Sequence, residues 1–352
     1  MRSRVLSGAS IQEWYKYYDS LSSGGAYHNP AYLDLLAGNF ESPDEQIELF
    51  VLEDGDDYVY YPYFRRSLAY ASVTSDEYDL SNFSDIVSSW YYGGPLLSSN
   101  NCESLVEEFV DSFSDYCDRE NIVSEFVRFD PNLCNHEVFD DLSSVCNRQT
   151  VYVDLTKSTK TLWDEFEKRN RNAIRQAQEA PIQIMPATET FHYESLYRIY
   201  REAMEARGAS KHYEFSDRFF DQLRELELSE YMIALYEGEV IGGSIVVYED
   251  GVAHDYLRAS DPKYWDMRVN NLLCYETMME MRDRGVTRFD FQGGRPGVFK
   301  FKKAFSPDRG EFHISRRTHN QEVYDHLSAR ARQQGIDTDS NYFPAYRRDL
   351  SN

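Results

Sequence analysis

Lysine is scarce in this sequence, and its scarcity limits what the chain can bind. Only nine of the 37 basic residues are Lys, and they face 60 Asp and Glu residues, so that the formal net charge is −23. Because proteins that coat DNA rely on Lys and Arg contacts to phosphates, this balance excludes a general DNA-binding protein. An anionic ligand would have to be held by a local group of basic residues.

Long hydrophobic runs and paired cysteines are missing as well. No apolar run approaches the roughly 20 residues that span a bilayer, and the start, "MRSRVLSGASIQEWYKYYD", lacks the apolar stretch of a signal peptide. The five cysteines are scattered and form no C-x-x-C pair. These absences predict a cytoplasmic protein without a metal site and without a disulfide framework.

The residues that are abundant predict a folded protein of two domains. The 352 residues are 41% hydrophobic and 15% aromatic, enough to bury a core in each of two domains. The excess of acidic residues, and of Arg over Lys, is typical of proteins from salt-loving organisms, and a halophilic archaeon is the predicted source. An acidic protein from an ordinary environment is the alternative.

The apolar patterns divide the chain near residues 145–150. We predict an N-terminal subdomain at 1–148, a second subdomain at 149–312 and a helical extension at 313–352. In the first half, "CESLVEEFVDSFSDYC" has the spacing of an amphipathic helix. In the second half, one long helix is predicted from Ser158 or Thr159 to residue 179.

The rest of the second half gives a regular order of elements. Helices are predicted around 189–206 and 214–228, followed by three antiparallel strands between 231 and 260. A further helix ends at Gly285 as its C-cap, and the strand "TRFDFQ" follows. This order resembles the core of the GNAT acyltransferase fold.

Five stretches, in order along the chain, resemble the Fem-type aminoacyltransferases and their GNAT relatives. They are "YYGGPLLS" (91–98), residues 152–179, "YRIYREAMEARG" (197–208), the "GGS" and "YLRAS" strands (242–260), and "RFDFQGGRPGVFKFKKAF" (288–305). The resemblance implies an α+β fold of two tandem GNAT-like subdomains, each a mostly antiparallel sheet flanked by helices. It also implies an enzyme of cell envelope biogenesis that transfers an acyl or aminoacyl group to an amine.

The resemblance implies the substrates only in outline. The donor would be an aminoacyl-tRNA or an acyl-CoA, with no tightly bound cofactor, and the acceptor would be an anionic small molecule or lipid-linked amine. The loop 293–297 is shorter than in the family, and Ser306-Pro307 stands where a Gly often follows. An archaeal source would lack bacterial lipid II. The acceptor and any peripheral membrane contact therefore stay open.

The stretch "RPGVFKFKKAF" is the main candidate site. Attack of an amine on an ester builds an oxyanion, which a fixed cation stabilises. The resemblance places Phe301 and Lys302 at the transfer site, with Lys302 as that cation. Lys303 would neutralise a phosphate, and Arg295 belongs to the same basic group. The alternative is a solvated helix face in which the aromatic residues pack inward.

A second basic group lies on the predicted long helix. Lys168, Arg171 and Arg175 share one face at i, i+3 and i+7, a spacing suited to a phosphate. Pairing with nearby acidic residues on a solvated helix explains the pattern equally well.

Further candidates lie on the strands. Asp290 could orient the acceptor amine or accept its proton, and it could equally hold the Gly293–Gly294 turn. Tyr256 and Arg258 are expected to face a cleft where neighbouring strands separate, whereas His254 is interpreted as a structural residue.

The Tyr92, Gly93 and Gly94 turn is predicted to line the substrate pocket, since glycines permit close backbone approach. The glycine-rich pyrophosphate loop of ordinary acetyl-CoA enzymes is missing, which favours an aminoacyl-tRNA donor. Two alternatives stay open: a CoA-dependent N-acetyltransferase, and a non-catalytic module that binds an anionic glycan or nucleotide.

Overall fold

The computed structural model describes residues 1–39, 45–99, 103–208, 214–338 and 341–348. The chain forms two compact units. Unit 1 comprises residues 1–147 together with 312–352, and unit 2 comprises residues 148–311. Residues 312–352 group with residues 1–147, and the predicted domain boundaries stay predictions.

The regular elements are numbered here in chain order. The helices are α1 (Ile11–Tyr18), α2 (Pro30–Ala37), α3 (Glu103–Arg119), α4 (Asn135–Val138), α5 (Thr159–Glu165), α6 (Lys168–Gln178), α7 (Thr190–Ala206), α8 (Asp217–Arg224), α9 (Val269–Asp283), α10 (Pro296–Lys302) and α11 (Gln321–Gln333). The strands are β1 (Arg2–Ser7), β2 (Gln46–Asp54), β3 (Asp57–Ser67), β4 (Ser84–Val87), β5 (Leu96–Leu97), β6 (Ile122–Arg128), β7 (Val145–Asp154), β8 (Gln183–Pro186), β9 (Ser229–Tyr236), β10 (Glu239–Glu249), β11 (Val252–Ser260), β12 (Arg288–Gln292) and β13 (Arg309–Thr318).

Unit 1 is a mixed sheet with the order β1-β2-β3-β4-β6-β13. Strands β1 to β4 pair antiparallel, β4 and β6 are parallel, and β13 pairs antiparallel with β6. Helix α3 buries Phe109 and Phe113 in the core of the unit, as its apolar spacing predicts. The pairing of β13 with β6 explains why the C-terminal residues belong to this unit.

Unit 2 is built on a sheet with the order β7-β12-β11-β10-β9-β8. Strands β9, β10 and β11 form the predicted antiparallel meander. Its two turns are Glu237-Gly238 and Asp250-Gly251, and all four residues have positive φ. Two-residue turns of this kind match the right-handed twist of the strands they join. The α+β fold class and the GNAT-like order are confirmed.

The strands β11 and β12 separate partway along their length. They are parallel partners only from Val252 with Arg288 to His254 with Asp290. On the other side of β11, Leu257 pairs with Ile245 and Asp255 pairs with Val246, so that Tyr256 is an extra residue. Such a β-bulge changes which side chains share a face. The gap between β11 and β12 opens just beyond the last ladder pair, His254 with Asp290.

The predicted long helix at 158–179 is wrong in one respect, because the structure splits it into α5 and α6. Phe166 and Glu167 have extended backbones, with ψ of 141° and 143°. The break buries Phe166 against Phe305, with ring centroids 5.6 Å apart. It also lets Glu167 N donate to Ala304 O at 2.9 Å. Tertiary contacts thus override the local helical pattern.

Helix α9 ends as the sequence predicts, with Gly285 at φ +87° directly after its last turn. Among the described residues, no helix combines the length and the apolar character needed to cross a membrane.

Candidate active site

The turn between β12 and α10 brings the predicted lysines back to the end of the sheet. Gly293 leaves room for Arg148, because a Cβ at this position would lie 3.0 Å from Cδ of the arginine. Gly294 has φ +157°, and its Cβ would lie 3.0 Å from Cγ1 of Val298. The two glycines therefore allow a tight turn directly into α10, and Pro296 starts the helix at a position that suits proline.

Lys302, the last residue of α10, is buried. Its ammonium group donates hydrogen bonds to the carbonyl oxygens of Phe291 and of Gly293, the latter at 2.9 Å. Burial lowers the pKa of Lys302, and the neighbouring carboxylates of Asp255 and Asp290 oppose that shift. An ammonium group has three N–H donors, so one remains beyond these two carbonyls.

Arg258 and Asp255 lie beside Lys302 in the gap between β11 and β12. Arg258 donates to Oδ2 of Asp255 at 2.9 Å. The guanidinium carbon of Arg258 lies 5.1 Å from the ring centroid of Phe301 and 6.0 Å from that of Phe291. We call Asp255, Arg258 and Lys302 the charged cluster. The aromatic rings keep water from it and so strengthen its electrostatic interactions.

Two atoms of the charged cluster lack hydrogen-bond partners. Within the described part of the chain, Oδ1 of Asp255 and one terminal nitrogen of Arg258 are buried and make no hydrogen bond. The side chains are 4% and 11% exposed, respectively. Leaving a buried charged group without a partner is costly. A ligand that supplies both a donor and an acceptor would complete the cluster.

A first cavity of about 550 Å³ lies between α6, α9 and α10. It is lined by Arg169, Asn170, Asn172, Ala173, Gln176, Arg268, Asn271, Gly297, Lys300, Phe301 and Ala304. Three of these residues are cationic and none is acidic, which is notable in so acidic a chain. Its volume is within the usual range for small-molecule sites.

A second cavity of about 440 Å³ lies on another side of α10. It is lined by Arg148, Gln149, Gly294, Pro296, Phe299, Lys300 and Lys303. Here too the lining has three cations and no carboxylate. Lys300 lines both cavities, although sequence reasoning assigned it no role beyond the basic group.

Asp290 is buried and hydrogen-bonded through both oxygens. Oδ2 lies 3.1 Å from Nδ1 of His254, and Oδ1 accepts from the backbone N–H of Gln292 at 2.7 Å. Gln292 itself has φ +61°. These contacts favour the second role that the sequence left open, in which the aspartate holds the turn after β12.

The basic group on α6 is arranged differently from the predicted stripe. The guanidinium group of Arg171 donates to backbone oxygens at the end of α5, including that of Asp164 at 3.0 Å. Arg175 lies over the ring of Trp163, 5.2 Å from its centroid. Neither residue, nor Lys168, lines the two cavities. The face of α6 that does so carries Arg169, Asn172 and Gln176 instead.

The remaining predicted residues lie apart from the cavity linings. Tyr256 is buried in β11, and Arg295 is exposed at the N-cap of α10. Tyr92, Gly93 and Gly94 belong to unit 1, where Gly93 N donates to Arg128 O at 2.7 Å and Gly94 has φ +90°. In unit 1 these residues form a buried turn.

Sequence reasoning missed Asp255, Arg148 and Arg268. Asp255 is three residues before Arg258, and in a regular strand that spacing places two side chains on opposite faces. The bulge at Tyr256 removes that separation, and the sequence carries no clear signal of it. Arg268 is the N-cap residue of α9, with φ +60°. Its position just before a predicted helix was the one sequence signal that could have made it a candidate.

A comparison with family models supports the enzyme class. Residues 165–303 match the family described as "Acetyltransferase (GNAT) domain". The matched range contains the charged cluster and every lining residue of the first cavity except Ala304. These residues are thus similar to a GNAT acyltransferase domain, and the match confirms the predicted enzyme class, an acyltransferase. A comparison with curated proteins found no match.

Solved structures share the fold across nearly the whole chain. FemX superposes with a TM-score of 0.68 at 12% identity, covering 93% of this chain and 99% of FemX. The C-terminal domain of a putative lysylphosphatidylglycerol synthetase from Agrobacterium fabrum gives a TM-score of 0.56 at 11% identity, covering 91% and 96% of the two chains. L-PGS from Bacillus licheniformis gives 0.54 at 12% identity, covering 93% and 96%. At these identities the likeness concerns the fold alone.

Proposed function

We propose that this protein transfers an aminoacyl group from an aminoacyl-tRNA to an amine on an anionic nucleotide- or lipid-linked acceptor. The observation that carries the proposal is the charged cluster, in which a buried carboxylate oxygen of Asp255 and a buried guanidinium nitrogen of Arg258 both lack partners. The first cavity, which lies beside α10 and has three cations in its lining, supports the proposal.

An aminoacyl ester matches these two unpartnered atoms. Its α-ammonium group can donate to Oδ1 of Asp255, and its carbonyl oxygen can accept from Arg258. An acetyl group has the carbonyl but no ammonium group, so it would leave the Asp255 oxygen buried without a partner. Since that state is costly, the cluster favours an aminoacyl group over an acetyl group.

The residues of the cluster also suit the chemistry of transfer. The neutral acceptor amine attacks the ester carbonyl, so that a C–N bond forms while the C–O bond to the ribose breaks. The nitrogen loses a proton, and the departing ribose oxygen gains one. Negative charge develops on the carbonyl oxygen in between, and the cations of Lys302 and Arg258 stabilise it in a site with little water.

The first cavity would hold the phosphates of the donor. The cavity contains the positive charges of Arg169, Arg268 and Lys300. A guanidinium group can donate two parallel hydrogen bonds to the oxygens of one phosphate. Coenzyme A also carries phosphates, so a CoA-dependent N-acetyltransferase is the second candidate. One protein with this fold is a putative lysylphosphatidylglycerol synthetase, and its name is consistent with an aminoacyl donor.

The test compares two donor analogues that differ only in the α-amine. A 3′-aminoacylamino-3′-deoxyadenosine and its N-acetylated form are titrated into the protein by calorimetry, with acetyl-CoA as a third ligand. We expect the free amine to bind roughly 10- to 100-fold more tightly, which corresponds to one hydrogen bond between charged groups. Asp255→Asn should remove this preference, whereas Asp283→Asn, an exposed change on α9, should keep it.

Turnover is then measured with radiolabelled aminoacyl-tRNA and acetyl-CoA in the presence of nucleotide-linked and lipid amines. Transfer of label from aminoacyl-tRNA is the expected result. Transfer from acetyl-CoA alone, together with equal binding of the two analogues, would establish the second candidate. Binding of an anionic glycan or nucleotide without any transfer would point to the non-catalytic module.

A further inference from the structure

The second cavity is not needed to hold the donor. Its cations are Arg148 from β7 and Lys300 and Lys303 near α10. Within the described ranges, none of these three side chains forms an ion pair with a carboxylate. In a chain with 60 acidic residues, three cations around one cavity without an acidic partner favour an anionic occupant.

The backbone holds these cations in place. Strand β7 pairs antiparallel with β12, with Val151 opposite Gln292, and so Arg148 lies near the turn that follows β12. The aliphatic part of Arg148 lies against Gly293, where any larger residue would displace it. The stem of the arginine is therefore ordered by contact, and less conformational freedom is lost when its guanidinium group binds a ligand.

We propose that the second cavity binds a phosphate group of the acceptor. This inference rests on the proposed transfer function, because it assigns the anionic part of the acceptor to the side of α10 away from the donor. A guanidinium group forms paired hydrogen bonds with phosphate oxygens, two lysines neutralise its charge, and the Gln149 amide adds a neutral donor. The ring of Phe299 supplies an apolar wall for the adjoining group.

The phosphate could belong to a nucleotide-linked or a lipid-linked acceptor, because both contain phosphate esters. The backbone of tRNA is a different occupant, and the cavity does not favour it. A tRNA would need a basic track over several nucleotides, whereas these cations surround a single recess of about 440 Å³.

The test measures binding in the absence of any donor. The probes are UDP, vesicles of phosphatidylglycerol or phosphatidylcholine, and uncharged tRNA. We expect Arg148→Gln and Lys303→Gln each to weaken the binding of UDP, of phosphatidylglycerol vesicles, or of both, by about tenfold or more. The probe whose affinity these substitutions lower identifies the source of the phosphate. Arg169→Gln reports on binding in the first cavity. Arg198→Gln, an exposed change on α7 that lines neither cavity, is the matched control and should alter the same affinity less than twofold.

Three results would overturn the inference. They are the absence of binding by both phosphate probes, weakening by Arg169→Gln without an effect of Arg148→Gln, and an Arg148→Gln effect confined to uncharged tRNA. Thermal melting of each variant checks that folding is intact, and since Arg148 is exposed the melting temperature should not change. Because no donor is present, a protein that fails to transfer aminoacyl groups still gives a clear answer on phosphate binding.

Discussion

Nδ1 of His254 lies 3.1 Å from Oδ2 of Asp290, and these two residues form the last paired position of the parallel ladder between β11 and β12. They are 2% and 1% exposed. Beyond them the strands separate, and Arg258 approaches Phe291 and Phe301 in the gap. The pair therefore fixes the point at which the sheet opens, and the charged cluster lies just beyond that point.

Replacement of Lys302 tests the catalytic role of the cluster. Lys302→Met keeps most of the side-chain volume and removes the charge. We expect kcat to fall about 100- to 1,000-fold with a smaller change in KM, because the cation matters most when the oxyanion forms. Steady-state kinetics with saturating aminoacyl donor measures this. Equal small effects of Lys302→Met and Lys303→Met, with folding intact, would show that Lys302 has no catalytic role.

The pKa of Lys302 predicts how activity depends on pH. Burial lowers this pKa below the ordinary value of 10.5. If the protonated form is required, kcat should decline on the alkaline side at a lower pH than an exposed lysine would give.

Between the folded and the unfolded pKa of Lys302, the unfolded chain binds more protons, so stability should rise with pH in that window. Lys302→Met should abolish the rise, as urea denaturation at several alkaline pH values would show.

The antiparallel meander and the turn glycines of unit 2 could be predicted from sequence because their signals are local. Gly238 and Gly251 stand where two-residue hairpin turns need positive φ, and apolar runs flank each turn. The break between α5 and α6 could not be predicted in this way. It depends on Phe166 contacting Phe305, a residue 139 positions away in the chain.

The charged cluster was predicted only in part, for a similar reason. Lys302 was identified by resemblance and Arg258 by its place on a strand beside a cleft, whereas Asp255 became a candidate only when the bulge at Tyr256 was known. The basic stripe on α6 lines neither cavity, because a helical spacing shows which side chains share a face without showing what that face contacts. Arg171 contacts the end of α5 and not a cavity.

The close approach of β10 to α7 predicts a destabilising substitution. A Cβ on Gly243 would lie 2.6 Å from Cδ1 of Leu196 and 2.9 Å from the backbone oxygen of Met232. Since the backbone cannot move easily, Gly243→Ala should cost about 1–3 kcal/mol in the free energy of unfolding. Gly297→Ala is the control, because nothing lies within 4 Å of its new Cβ and Ala favours a helix. Urea denaturation of both variants measures the difference, and equal stabilities would contradict the expectation.

The position of the C-terminal residues in unit 1 gives a last prediction. Asp85 is fully buried and accepts hydrogen bonds from Arg66 at 2.7 Å and from Arg347 at 2.8 Å. Burial alone would raise the pKa of Asp85, but the charges of Arg347 and Arg66 outweigh it and hold the pKa below its ordinary value. Arg347→Gln would leave the buried carboxylate underpaired, and we expect a loss of about 3 kcal/mol in the free energy of unfolding at pH 7.

The same substitution should change the response to acid. A carboxyl group whose folded pKa is lowered contributes stability above its unfolded pKa, near 3.9, and loses it as pH falls through the folded value. Arg347→Gln should therefore begin to unfold at a higher pH than the unchanged protein. Arg348→Gln is the matched control, because Arg348 pairs with the exposed Asp337 and such pairs contribute about 1 kcal/mol or less. Acid titration followed by circular dichroism compares the three proteins. Equal stability of the two variants would mean that residues 341–348 do not stabilise unit 1 through Asp85.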